Sequence, residues 1–201
     1  MAQLKMYWLK GTPIREMQLP EGFSISRYSC DEDMQEWIAC CKDGLIAEGV
    51  KGEDRFANTI LKHKDLDLYE DVLFLDCGGE HVATAAAIYH PEKNCGELHM
   101  VGMKTEWRGK GLVKYLNNAA VRILSEKGVD YIYLTTDEWR KGAVKSYLTE
   151  GFVPVKYDRG MKKRWRKVLA EYNIDSVDMV REDCSFYKTI HPVRPLFSKK
   201  K

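Results

Sequence analysis

The sequence has no apolar run approaching the roughly 20 residues that a membrane-spanning helix needs, so no membrane partner is expected. Its opening lacks a basic head followed by an apolar stretch and a small-residue cleavage site; no secretory signal is indicated, and the cytoplasm is the expected location. Metal-ligand spacing is missing too. Cys30, Cys40, Cys41, Cys77, Cys95 and Cys184 contain no C-x-x-C pair, so free, mostly buried thiols and no bound metal are expected. Cys40 and Cys41 are adjacent, an awkward geometry for bridging each other.

A large net charge is also missing: the formal total is only +2. It is unevenly spread, with 19 Lys and Arg against 24 Asp and Glu in residues 1–155 and 13 against 6 in residues 156–201. A solvated helix face at 162–167 and a basic end at 199–201 account for this more simply than a nucleic-acid site, since no base-reading pattern accompanies the charges. No nucleic-acid partner is expected. With 201 residues, 44% of them hydrophobic and 31% charged, the composition is globular and can support a substantial core in one domain.

Within that domain, residues 1–22 read as an irregular lead-in, 23–157 as the core, and 158–201 as a helix with a basic tail that could contribute to a homodimer. Periodicity predicts a strand at 23–28, helices around 34–41 and 53–64, and a connection or short strand at 66–69. Two β-rich runs flank Gly78-Gly79 as a hairpin, and a third strand at 97–103 completes an antiparallel meander. Leu112, Tyr115, Leu116, Ala119, Ala120, Ile123 and Leu124 keep helical spacing. A strand at 131–135, a helix at 143–148, a strand at 152–157 and a helix at 161–172 follow, with little periodicity beyond 175. This order implies an α/β (α+β) fold with helices on the faces of a mixed central sheet.

The segment from Glu97 to Leu112 runs strand, loop, helix, and its glycines fall where the helix begins. Backbone N–H groups at a helix start lack intrahelical partners and lie at the positive end of the dipole, so they can hold a pyrophosphate. A P-loop would need Lys and Ser or Thr after Gly111, where Leu112 and Val113 stand. A dinucleotide fingerprint would need a third glycine at Lys114 and a parallel opening instead of a meander.

Arg108-Gly109-Lys110-Gly111-Leu112-Val113 resembles the Arg/Gln-x-x-Gly-x-Gly/Ala motif of the GCN5-related N-acetyltransferases (the GNAT family), departing from it at Val113. Ala143-Val144-Lys145-Ser146-Tyr147-Leu148-Thr149-Glu150-Gly151-Phe152 is similar to that family's Ala-x-x-x-Tyr-x-x-x-Gly-Phe segment, with Arg140 where Asn is frequent. The resemblance spans about 23–157. It implies a GNAT-like sheet and transfer of an acetyl group from acetyl-CoA, as co-substrate, to a primary amine on a small molecule or peptide. It further implies that Val101, Gly102 and Met103 line the pantetheine arm, and that Arg108, Gly109, Lys110, Gly111, Leu112 and Val113 hold the pyrophosphate.

By the same resemblance, Glu97 matches the general base and Tyr147 the general acid that protonates the departing thiolate. With regular alternation Glu97, His99, Val101 and Met103 share one face, which makes His99 a second candidate base. Asp137 and Glu138 could meet a cationic substrate. No cysteine has a local partner set that marks a nucleophile, so direct attack by the amine in a ternary complex is expected. The alternative is a non-catalytic acyl-CoA-binding module on the same fold.

Overall fold

The computed structural model describes residues 3–193, and the basic end at 199–201 lies outside them. Among the described residues the chain runs β1 (Leu4–Leu9), β2 (Phe23–Arg27), α1 (Glu32–Cys41), α2 (Gly52–Phe56), α3 (Leu68–Asp71), β3 (Val72–Cys77), β4 (Glu80–His90) and β5 (Cys95–Met103). It continues with α4 (Val113–Glu126), β6 (Tyr131–Thr136), α5 (Lys141–Glu150), β7 (Val153–Lys156), α6 (Met161–Tyr172), β8 (Val177–Arg181) and β9 (Phe186–Ile190). Two compact units are formed, one from Lys10–Ile132 and the other from Met1–Leu9 with Tyr133–Lys201.

In the Lys10–Ile132 unit, β2, β3, β4 and β5 pair antiparallel in chain order, the meander expected from the turn signals. Ala83, Ala85, Ala86 and Ala87 of β4 are all buried, and such small side chains let helices approach the sheet closely. Helices lie on both faces. A Cβ added to Gly102 would meet the Cys40 carbonyl oxygen of α1 at 2.8 Å, whereas one added to Gly96 would meet Leu124 of α4 at 2.9 Å. On the α1 side, Trp37, Phe56, Ile60, Phe74, Ile88 and Met100 form one buried cluster. The helix expected at 53–64 is interrupted: α2 passes into a π-helical turn at Ala57–Leu61, where the Lys62 N–H bonds back to the Ala57 carbonyl at 3.0 Å. Residues 68–71 are a short helix with Asp67 accepting from the Tyr69 and Glu70 N–H groups, a cap whose local geometry overrides the β-like composition.

The second unit has the strand order β6-β1-β7-β8-β9. β1 lies antiparallel to β7, with Met6 opposite Pro154 and Tyr7 opposite Val153. The lead-in at 1–22 therefore contains a strand, and Leu4, Met6, Tyr7 and Trp8 are buried. β7 and β8 are parallel, joined through α6, as a parallel pair requires a long crossover. Beyond 175, Val177–Arg181 and Phe186–Ile190 form the β8–β9 hairpin. Trp165, Leu169 and Tyr172 give α6 a buried face, while its basic residues lie on the other side. The mixed pairing and the two-sided helical cover make the class α/β, as expected.

Candidate active site

The register between β4 and β5 steps from Thr84↔Gly102 to Ala86↔His99, so β5 advances three residues while β4 advances two. The surplus residue is a bulge around Met100, whose φ of 49° is left-handed and uncommon for an L side chain. The bulge changes the alternation expected for this strand. Glu97 and His99 share a face and Gly102 joins them, while Met103 falls on the opposite face and Val101 lies within the bulge. One residue of β5 is left outside the ladder, where backbone groups can meet a ligand.

Past β5, a short 3₁₀ turn at Thr105–Trp107 leads to Gly109 and Gly111, with φ of 76° and 68°. Open space surrounds the position of a Cβ at both, so these glycines answer to backbone conformation and not to crowding. α4 then starts at Val113 with no side chain capping its N-terminus. The first N–H groups of a helix have no intrahelical partner and lie at the positive end of its dipole, a setting that suits an anion. Arg108 does not point its whole fork at that space. Its Nε donates to the Met103 carbonyl at 2.9 Å and its Nη2 to the Asp43 carbonyl at 2.6 Å, which braces the loop against the end of β5. Lys110 Nζ stands 4.5 Å from the Trp107 ring centroid.

Glu97 is the centre of a polar cluster. Its Oε1 is 3.0 Å from His99 Nδ1, and its Oε2 is 3.0 Å from His90 Nε2 and 3.8 Å from His63 Nε2. Behind these, His90 Nδ1 meets Asp65 Oδ2 at 2.6 Å. Burial pushes the His63 imidazole below its ordinary pKa, with the Glu97 carboxylate opposing the shift. The hydrogen bond from His90 holds the Asp65 carboxyl below the usual range. A half-buried carboxylate ringed by imidazoles can accept and pass on a proton.

Residues 31–152, more than half of the chain, match the acetyltransferase (GNAT) family. The chain belongs to the GNAT acetyltransferase family. Among curated relatives, it is 27% identical to the mycothiol acetyltransferase of Streptomyces coelicolor over 72% of this chain and 47% of that protein. It is 28% identical to the mycothiol acetyltransferase of Pseudarthrobacter chlorophenolicus over 68% of this chain and 44% of the relative. The chain thus spans about half the length of the curated relatives it matches. A GNAT structure from Sphaerobacter thermophilus shares the fold, with a TM-score of 0.59 and 18% identity over 77% of this chain and 49% of that one. Another, from Kribbella flavida, has a TM-score of 0.53 and 20% identity over 77% of this chain and 55% of the other.

On this GNAT chain the Lys10–Ile132 unit holds Glu97, Val101, Gly102, Met103, Arg108, Gly109, Lys110, Gly111, Leu112 and Val113. Tyr147 belongs to the other unit, on the inner side of α5, where its ring meets Phe152 edge-on with centroids 5.8 Å apart. Burial raises its phenol pKa, with Glu150 adding to the effect and Arg140 opposing it, so the proton is retained at neutral pH. Asp137 is engaged by Arg140 at 3.2 Å and by Gln3 at 3.1 Å, and Glu138 by Arg164 at 2.7 Å. Both carboxylates thus have cationic or amide partners within the chain, with their side chains 30% and 37% exposed. Burial lifts the Cys40 thiol to about 12 and the Cys41 thiol well above its ordinary value, which makes both poor nucleophiles. Sequence reasoning passed over His63, Asp65 and His90, which lie in a loop and at the end of β4 with no ligand spacing to link them.

Proposed function

We propose that this chain transfers the acetyl group of acetyl-CoA to the primary amine of a small-molecule acceptor, by direct attack in a ternary complex. The observation that carries the reading is the path of β5: Glu97 on its surface, a bulge at Met100, then Gly109 and Gly111 opening onto the uncapped N-terminus of α4. In this reading, backbone groups of Val101, Gly102 and Met103 bind the pantetheine arm. The amides from Arg108 to Val113 hold the pyrophosphate, with Arg108 keeping their loop in shape. The thioester of the co-substrate supplies the activated acyl group.

Glu97 takes the ammonium proton of the acceptor, directly or through water, with His99 as the neighbouring alternative base. Its contacts with His90 and His99 hold the carboxylate in one orientation. Tyr147, kept protonated by burial, gives its proton to the departing thiolate. The poor nucleophilicity of Cys40 and Cys41 supports direct attack over an acyl-enzyme. The name of the relatives supports a small-molecule acceptor over a peptide.

The test is thiol release from acetyl-CoA over a panel of small amines and peptide N-termini. Release that depends on a small amine, with intersecting double-reciprocal plots, is expected. Parallel plots with an acetylated enzyme would contradict direct attack. Acetyl-CoA binding without turnover on any amine would favour the non-catalytic acyl-CoA-binding module.

A further inference from the structure

The cluster around Glu97 contains more than a catalytic carboxylate needs. His63 follows the π turn at Ala57–Leu61, His90 ends β4, and Glu97 lies on β5; one ligand atom from each lies within 4.8 Å of the others. Two imidazoles and one carboxylate are a ligand set that suits zinc, with a fourth position left for solvent. Tetrahedral bonds of zinc length place neighbouring ligand atoms about 3.4 Å apart. The separations from Glu97 Oε2, 3.0 Å to His90 Nε2 and 3.8 Å to His63 Nε2, bracket that value.

The outer contacts are those that orient ligands in metal sites. Asp65 Oδ2 lies 2.6 Å from His90 Nδ1, the outer contact that orients a ligating imidazole and leaves its Nε2 facing Glu97. His99 Nδ1 holds Glu97 Oε1 at 3.0 Å, leaving Oε2 directed at His63 and His90. The ligand side chains are only 13–23% exposed, so solvent competes weakly for their lone pairs. The other ring nitrogens of these histidines, His63 Nδ1 and His99 Nε2, are buried with no hydrogen-bonding partner among the described residues.

We infer that His63, His90 and Glu97 bind one divalent transition ion of the zinc class, oriented by Asp65 and His99. The binding is independent of the acetyl-transfer reading. One consequence rests on that reading: an ion on Glu97 occupies the lone pair that would accept the ammonium proton, so zinc inhibits transfer and a chelator restores it.

The test uses the full chain after chelator treatment, titrated with Zn²⁺ by calorimetry and with Co²⁺ by visible absorption. One equivalent is expected, with a Co²⁺ spectrum that lacks thiolate charge-transfer bands. His63→Ala and His90→Ala should each weaken binding by more than tenfold, and Asp65→Asn by about tenfold. His63→Gln serves as a second variant, and circular dichroism verifies that each is folded. Absence of saturable binding, equal affinity in folded His variants, or a thiolate-type spectrum pointing to the cysteines would each overturn the site. Zinc binding with no acetyl transfer to any amine would leave the site standing and remove the proposed activity.

Discussion

Arg108 and Met103 are joined by a 2.9 Å hydrogen bond from the guanidinium Nε to the Met103 carbonyl. Five residues of loop are thereby tied to the end of β5, while a second donation, to the Asp43 carbonyl, fixes the other side of the fork. Arg108, which the proposal places in the pyrophosphate loop, thus acts on the backbone of that loop.

Replacing Arg108 by Ala should weaken acetyl-CoA about tenfold through loss of these charged hydrogen bonds, with a smaller effect on the rate at saturation. Lysine should restore only part of the affinity, because a single ammonium cannot span both carbonyls as the planar fork does. Calorimetry with both variants measures this. Affinity unchanged in Arg108→Ala would show that the loop holds its shape without the brace.

Glu97→Gln should lower kcat by about 10²–10⁴-fold while leaving acetyl-CoA affinity unchanged. The deficit should narrow as pH rises, because alkaline solution delivers the amine already deprotonated. A pH-rate profile of both proteins decides the point: a deficit constant across pH would argue against a proton-accepting role.

Tyr147→Phe retains the ring that packs against Phe152 and removes only the hydroxyl. The expected result is a fall in kcat of about 10²-fold with little change in Tm. Since burial raises the phenol pKa, wild-type activity should show no alkaline limb from this group below the ordinary tyrosine value of about 10. Equal kcat in the two proteins would leave Tyr147 as a packing residue.

Asp33 supplies a stability prediction away from the chemistry. Burial raises the pKa of its carboxyl, but hydrogen bonds from Ser29, from the Cys30 N–H and from His81 outweigh this and hold it low. A depressed carboxyl contributes stability that is fully present above the unfolded value, about 3.9, and is lost as pH falls through the folded value. Urea unfolding across acid pH should therefore show a steeper loss for wild type than for Asp33→Asn. Parallel curves would contradict the assignment.

What could be read from the sequence was what neighbouring residues determine. α6 runs from Met161 to Tyr172, where periodicity placed it, and the loop from Arg108 to Gly111 enters a helix as its glycines indicated. β1 was missed because its partners, Val153 and Pro154, lie far along the chain and its short apolar run has no turn to mark it. The bulge falls at Met100, two residues before Gly102, and only the β4–β5 register shows which residue it displaces. The cluster of His63, His90 and Glu97 depends on the π turn and on strand pairing, neither of which spacing reveals.

The most direct test of the central claim is calorimetric titration of the folded chain with acetyl-CoA beside Gly111→Glu. Position 111 has φ of 68° and open space around it, so the substitution strains the backbone and brings a negative charge to the N-terminus of α4. Saturable binding by wild type, lost in a folded variant, is the predicted result. A folded wild-type protein that does not bind acetyl-CoA would contradict the account.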